Sequence, residues 1–268
     1  MGQTLTTIEI EDMEIIRASE LIREEWLPEY EKQREIIHGQ LVGLNTYLFT
    51  LERIEEFPFR VFFPAYDDRI FWQTTRNALV EIIVIRMWRI GVDRRKDVLT
   101  LKNFKDDIWA NLKDNTAGQI FQGKLEHVDF DNQIQTLNER LTELRHNYFA
   151  HFNKSLNLTP KPEKIANIAV SLSDFKNFIV IIRKLFDVLC FEHHHDLWLW
   201  AYSQYRRENQ ETDVDKLLDG VARNSDLLNL PETAPDIWTG IVAELSDYDL
   251  AIINKYRLKF RLPSVDRQ

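Results

Sequence analysis

The scarcity of helix-breaking residues restricts the fold of this chain more than any other feature of its sequence. Only eight glycines and eight prolines interrupt 268 residues, and long stretches rich in Leu, Ile, Glu, Lys, Arg and Gln run between them. These residue types favour helix, and the sequence has no alternating Val/Thr-rich runs bounded by turns. We therefore expect an all-α protein, an antiparallel helical bundle with additional N- and C-terminal helices.

Apolar residues that recur every three or four positions predict the first helices. A helical region from about Glu11 to Glu56 should be broken at Leu27-Pro28, because proline disfavours helix at the residue before it. A second helix should run from about Asp67 to Gly91. Its expected core-facing stripe is Phe71, Thr75, Ala78, Ile82 and Ile85.

The middle of the chain should hold further helices. Thr100 is expected to start a short helix, and the polar stretch Lys113 to Asp129 is expected to be a mobile loop. A helix from about Asp131 to Phe152 should follow, and another should run from a cap at Ser173 or Asp174 to about Tyr205. The apolar stripe of the first of these two is Ile134, Leu137, Leu141, Leu144 and Tyr148. The stripe of the second is Phe175, Phe178, Ile182, Leu185 and Leu189.

The sequence also predicts how the chain is divided. We expect residues 1–205 to form the helical bundle and residues 206–268 to form a helical C-terminal extension that packs on it. Pro231 and Pro235 should divide this extension.

Cysteine usage and hydropathy indicate the compartment. The single cysteine, Cys190, can form neither an intrachain disulfide nor a multi-cysteine metal site, which fits a reducing cytoplasm. The first residues lack the pattern of a secretory signal. The most apolar stretch, Leu79 to Ile90, is broken by Glu81, Arg86 and Arg89 and is too short to span a membrane. We expect a cytoplasmic protein with no membrane partner.

The segment Leu144 to Phe152 carries the most suggestive chemistry, because Arg145, His146, Asn147 and His151 fall within two helical turns. Imidazole transfers protons near neutral pH, since its unperturbed pKa is about 6.5. The guanidinium of arginine stays charged and donates paired hydrogen bonds to phosphate. These side chains suit RNA cleavage without a cofactor or metal, in which the 2′-hydroxyl loses a proton and the leaving 5′-oxygen gains one.

Helical geometry places these side chains on different faces. His151 returns to nearly the azimuth of Leu144 on the apolar stripe, and Asn147 lies one turn earlier on nearly the same face. Arg145 lies roughly 120° away around the helix. One histidine is too few for separate acid and base roles unless His146 contributes or a second copy of the chain faces the first. We therefore expect a homodimer to complete the site.

Charge limits how RNA can bind. The formal net charge of −9 argues against general coating of nucleic acid, because such binding comes from Lys and Arg that neutralise phosphates. Basic residues near the motif are therefore the candidate RNA contacts, namely Arg140, Lys154 and Lys161. A basic patch on an acidic protein is also often no more than a solvated face.

The motif resembles the signature of the HEPN superfamily, an arginine, a polar residue, and a histidine after four to six intervening positions. Arg145 and His151 match the family arginine and histidine, and His146 takes the polar position, where Asn or Asp is more frequent. The Ala150-His151 pair resembles the version found in abortive-infection proteins of prokaryotes. The segment Asp93 to Leu101 is a second, weaker similarity to that group.

The resemblance implies a helical bundle that dimerises with two motifs lining a shared cleft. It implies metal-independent endoribonuclease activity with products ending in a 2′,3′-cyclic phosphate, a role as a toxin or antiphage effector, and a protein antitoxin or other regulatory partner. Members regulated by a nucleotidyltransferase antitoxin often carry a tyrosine two residues after the histidine. This chain has Asn153 there, so regulation by modification at that site is not expected.

Two other interpretations stay open. The Arg145-to-His151 spacing also occurs by chance, and a core histidine would leave a non-catalytic helical module that dimerises or binds a partner. Glu192 and His195 have the Glu-x-x-His spacing of di-iron bundles, with His193 between them on the core stripe. Because no second such motif is present, we interpret this segment as a His-rich helix end or a pocket wall rather than a metal site.

Overall fold

The computed structural model describes residues 16–63, 69–91, 93, 95, 97–145, 171–191 and 211–266. In these ranges the regular structure is helical, with no strand apart from an isolated bridge between Ile22 and Leu112. The predicted all-α class is therefore confirmed. A 3-10 turn spans Glu24–Trp26, and the α-helices of the described residues are α1 (Ala18–Leu21), α2 (Leu27–Glu56), α3 (Phe59–Phe62), α4 (Ile70–Gly91), α5 (Leu101–Ala110), α6 (Asn115–His127), α7 (Phe130–Leu144), α8 (Leu172–Leu189), α9 (Asp213–Arg223), α10 (Asp226–Thr233), α11 (Pro235–Glu244) and α12 (Asp247–Lys259).

The main core is built around α2, which has 30 residues. α4 runs antiparallel to it, because Arg86 near the end of α4 reaches Gln40 and Tyr47, whereas Arg76 near its start pairs with Glu55. α7 packs on α4, and α8 contacts α2, α4, α5 and α7. These contacts produce the predicted bundle.

Two helix starts agree with the sequence. α2 begins at Leu27 with Pro28 in its first turn, where a proline needs no hydrogen-bond donor, so the predicted break is confirmed. Thr100 caps α5 by accepting a hydrogen bond from the backbone N–H of Asn103 at 3.1 Å.

Within the described residues, the apolar stripes of α7 and α8 are buried as predicted, whereas Tyr148 and the predicted helix end at Phe152 lie outside those residues. The buried residues of these stripes are Ile134, Leu137, Leu141 and Leu144 in α7, and Phe175, Phe178, Ile182, Leu185 and Leu189 in α8. α8 begins two residues earlier than expected, because Ser171 is its cap and Asp174 returns a hydrogen bond to Ser171. It ends at Leu189, well before the predicted end at Tyr205, which lies outside the described residues.

Tyr30 ties α2 to the end of α8. Its ring is fully buried, its hydroxyl donates to the carbonyl of Leu189 at 3.0 Å, and it accepts from the N–H of Phe191 at 3.3 Å. Burial raises the pKa of this hydroxyl above its ordinary value, so it stays protonated.

The predicted mobile loop from Lys113 to Asp129 is wrong, because most of it forms α6. Asp114 caps this helix by accepting from the N–H of Ala117 at 2.9 Å. Ala117, Phe121 and Leu125 recur every fourth residue and are buried. This one-sided apolar stripe outweighs the polar composition that suggested a loop.

The predicted core-facing stripe of α4 is also wrong. Phe71 is 67% exposed and Ile82 is 37% exposed, whereas Ile83 and Met87 are completely buried. Both sides of α4 are apolar, so periodicity alone could not choose between them. The side of α4 expected to face the core faces solvent.

A second core joins the C-terminal helices to α3. Phe57, Val61 and Phe62 pack in one cluster with residues of α9, α10, α11 and α12, and Phe59 and Trp72 contact both this cluster and the main core. Pro235 begins α11, whereas Pro231 lies inside α10 and does not divide the extension. The division into residues 1–205 and 206–268 stays a prediction.

Arg257 is the central polar residue of this second core. Its guanidinium is fully buried, donates to the carbonyls of Leu228 at 2.5 Å and Pro263 at 2.7 Å, and pairs with Glu232. The pairing lowers the pKa of Glu232.

In the described part of the chain, no helix combines the length and hydropathy needed to cross a bilayer.

Candidate functional site

Arg145 follows directly on the last residue of α7. Its backbone keeps helical angles, and its N–H bonds back to the carbonyls of Leu141 and Thr142. The guanidinium carbon lies 4.1 Å from the centroid of the Trp88 ring on α4. This distance is that of a cation–π contact. The packing of α4 on α7 therefore gives Arg145 an aromatic surface to lie on.

The Trp88 ring is itself held in place by α7. Its indole N–H donates to the hydroxyl of Thr142 at 3.3 Å, and that hydroxyl donates to the side-chain oxygen of Asn138 at 3.0 Å. Thr142 stands three residues before Arg145 on the same helix. The ring orientation and the position of Arg145 therefore depend on one pair of packed helices.

Asp93 supplies the negative charge of the site. It lies two residues after α4 ends, and its side chain is 1% exposed. Arg95 donates to its carboxylate from Nε at 3.1 Å and from Nη2 at 2.8 Å. These hydrogen bonds lower the pKa of Asp93, and the charge of Arg145 lowers it further. Asp93 is therefore an ionised carboxylate that accepts hydrogen bonds from Arg95 and interacts electrostatically with Arg145.

The segment that carries Asp93 is fixed to α5. The side-chain amide of Asn103 donates to the carbonyls of Arg95 at 3.0 Å and Val98 at 2.6 Å. Thr100, which caps α5, is completely buried. This is the segment that showed the second, weaker similarity in sequence, and the charge of Arg145 acts on its carboxylate.

The predicted site residues are only partly described. Arg140 is exposed on α7, roughly 140° around the helix from Arg145. Hydrogen bonds from Ser171, together with the charge of Arg140, lower the pKa of Asp174 at the start of α8. Arg140 therefore lies on a different side of α7 from Arg145. The predicted residues outside the described ranges are His146, Asn147, His151, Lys154 and Lys161.

Sequence reasoning missed Trp88, Thr142, Asp93 and Arg95 as parts of this site. A tryptophan among the aliphatic residues of α4 was a weak signal, and an aspartate just after the helix was another. The described residues contain no group of three or more His, Cys, Asp or Glu that could hold a metal ion. The segment with Glu192, His193 and His195 lies outside those residues.

Together, these groups can bind an anion. The Trp88 ring positions the Arg145 guanidinium, and the exposed Arg95, which pairs with Asp93, adds a second cation. A guanidinium held in this way donates to a phosphate without having to be reoriented.

Comparison with known families identifies the family of the chain. A family model described as AbiU2, of the HEPN group, matches residues 28–216, which is more than half of the chain and includes Trp88, Asp93 and Arg145. No curated protein and no solved structure matches the chain. The resemblance found in the motif is confirmed, and the chain belongs to the AbiU2 family of HEPN proteins.

Proposed function

We propose that this protein is a metal-independent endoribonuclease that works as a homodimer in the cytoplasm, as a toxin or antiphage effector. The observation that carries the proposal is the guanidinium of Arg145, directly after α7, whose carbon lies 4.1 Å from the centroid of the Trp88 ring. Membership of the AbiU2 family supports the same conclusion.

In the proposed reaction the 2′-oxygen of a ribose attacks the adjacent phosphorus, and the bond to the 5′-oxygen breaks. His151 takes the 2′-hydroxyl proton or protonates the leaving 5′-oxygen, and its counterpart in a second copy takes the other role. The products are a 2′,3′-cyclic phosphate and a 5′-hydroxyl. The step consumes no water and needs no oxidant.

Arg145 stabilises the negative charge that grows on the phosphate oxygens. Such stabilisation is effective when the donor is already oriented before the reaction, as contact with Trp88 orients Arg145. Asn147 and His146 orient or assist the imidazole. Arg140, Lys154 and Lys161 contact the RNA backbone outside the reacting phosphate.

The test is cleavage of RNA by purified protein in EDTA. Wild type should cleave, and His151→Ala and Arg145→Ala should each lower the rate by roughly a hundredfold or more. His127→Ala is the matched control, because His127 is exposed at the end of α6. Product ends should be 2′,3′-cyclic phosphates.

Two outcomes would contradict the proposal. Cleavage that survives His151→Ala would remove that histidine from the reaction. Absence of cleavage by a folded, dimeric wild type across several RNA substrates would favour the non-catalytic module that dimerises or binds a partner. If expression of this protein arrests cell growth, a second protein that relieves the arrest when it is co-expressed would be identified as an antitoxin.

A further inference from the structure

A groove between α5, α6 and α7 encloses about 500 Å³. Its floor is apolar, formed by the buried side chains of Leu125 in α6 and Phe130 at the start of α7. Trp109 of α5 forms one wall, and it is 47% exposed although its ring packs on Phe121 with 6.0 Å between the ring centroids. Tryptophan is among the residues that contribute most of the binding energy at protein interfaces. We call this feature the Trp109 groove.

The charges that line the Trp109 groove are mostly negative. One ammonium group, that of Lys105, faces four carboxylates, those of Asp106, Glu126, Asp129 and Asp131. The lining therefore has three negative charges in excess. Such a groove repels phosphate groups and attracts cations, so it complements a positively charged occupant and not RNA.

Lys105 shows how the groove holds a cation. Its ammonium lies 5.5 Å from the centroid of the Phe130 ring and pairs with Asp131 at 2.8 Å, so an aromatic ring and a carboxylate bind the same charge. Trp109 and Asp106 offer the same combination, because they lie three residues apart on α5 and both line the groove. In the described part of the chain, no cation lies over the Trp109 ring.

The Trp109 groove is too open to enclose a small molecule. Besides the half-exposed Trp109, the side chains of Asp106 and Asp131 at its rim are 54% and 82% exposed. Pockets for small ligands bury about 70–90% of the ligand surface. An occupant of this groove is covered on one side only, as is a side chain that a docked partner protein presents.

The groove suits arginine better than lysine. A guanidinium is planar, so it stacks on an aromatic ring and also donates two parallel hydrogen bonds to a carboxylate. Trp109 supplies the ring, and Asp106 and Glu126 supply carboxylates from two different helices. Lysine presents a point charge that does not form such paired hydrogen bonds.

We infer that the Trp109 groove is a docking site for a basic segment of a partner protein, with one arginine of that segment stacked on Trp109 and paired with Asp106 or Glu126. The groove lies at the start of α7, whereas Arg145 follows its end, about 22 Å away along the helix axis. The docking site is therefore separate from the Arg145 site, and it does not rest on the proposed function.

The experiment measures the Kd of a fluorescently labelled peptide, in which four arginines alternate with glycines, by fluorescence polarisation. Trp109→Ala should raise this Kd at least about tenfold, because it removes the stacking surface. The double variant Asp106→Asn/Glu126→Gln should do the same, because it removes both charges with little change in size. A peptide with citrulline in place of arginine keeps the shape and loses the charge, so it should also bind at least about tenfold more weakly.

Two matched controls separate the groove from the general attraction between a basic peptide and a protein of net charge −9. Tyr248→Ala removes an exposed aromatic residue of α12, and Glu244→Gln removes an exposed carboxylate of α11. Each should leave the Kd within about twofold of wild type. Thermal melts followed by circular dichroism show whether each variant is folded. If Trp109→Ala fails to fold, the double variant still decides the question, since it changes only exposed side chains.

Four outcomes would overturn the inference. The first two are absence of peptide binding by wild type and a Kd that the double variant leaves unchanged. A lysine peptide that binds as tightly as the arginine peptide would refute the stacked arginine. Spermidine that binds more tightly than the peptide would assign the groove to a free polyamine.

The proposed ribonuclease can fail separately. If the protein cleaves RNA, the double variant Asp106→Asn/Glu126→Gln should cleave it at the wild-type rate while it loses the peptide. Loss of peptide binding by that variant in a protein that cleaves no RNA supports the docking site and refutes the proposed activity alone.

Discussion

The contact between Trp88 and Arg145 should be measurable as a coupling energy that does not depend on any enzymatic activity. The guanidinium carbon lies 4.1 Å from the ring centroid, and the tryptophan is partly buried. A cation–π contact of this kind contributes about 0.5–2 kcal/mol. Trp88→Leu alone should cost more, because it also removes the hydrogen bond to Thr142, which contributes about 1 kcal/mol.

A double-mutant cycle separates these effects. The free energy of unfolding is measured in urea for wild type, Trp88→Leu, Arg145→Met and the double variant. The coupling should be about 1 kcal/mol, or roughly fivefold in the unfolding equilibrium constant. The control cycle pairs Arg145→Met with Trp109→Leu, since Trp109 is a 47% exposed tryptophan on α5, and it should be additive. A coupling below about 0.3 kcal/mol for Trp88 would refute the reasoning.

Three further changes test other parts of the structure by urea denaturation. Asp93→Asn should lower the free energy of unfolding by about 1 kcal/mol at neutral pH. Because the pKa of Asp93 is lowered, its stabilisation is complete above about pH 3.9 and is lost as the pH falls through the lowered value. The free energy of unfolding of the variant should therefore fall less steeply toward acid pH than that of wild type, and equal slopes would contradict this. Tyr30→Phe should lower the free energy of unfolding by about 1–3 kcal/mol, because it leaves a buried carbonyl and a buried N–H unpaired. The control Tyr248→Phe, at a 74% exposed site, should change this free energy little. Equal effects of the two substitutions would exclude the buried hydrogen bonds as the cause. Arg257→Met should lower the free energy of unfolding by about 2–5 kcal/mol, because two buried carbonyls lose their donor. The control Lys255→Met, at an exposed position, should be nearly neutral. An Arg257→Met protein as stable as wild type would show that water replaces the donor.

The sequence predicted helices well where only one side is apolar. α7 and α8 have a single apolar stripe, so their buried residues, such as Leu141 and Ile182, followed from periodicity. α4 has two apolar sides, and only the packing of α2 and α7 determines that Ile83 is buried and Ile82 exposed. In α6, the polar composition favoured a loop, although three apolar residues at helical spacing are buried there.

The site was predictable only in its local part. Arg145 was identified because its chemistry lies within one motif. Trp88 and Asp93 lie far from it in sequence, and nothing local links a tryptophan of one helix to an arginine of another. The contact of Trp88 with Arg145 results from tertiary packing between α4 and α7, and a spacing motif carries no information about that packing.

The aromatic pair Phe59 and Trp72 links the C-terminal helices to α4, the helix that carries Trp88. Their ring centroids are 5.0 Å apart, and both residues touch both cores. Trp72 and Trp88 belong to the same continuous helix, about 24 Å apart along its axis. The C-terminal helices therefore pack against one end of the helix whose other end contacts Arg145 through Trp88.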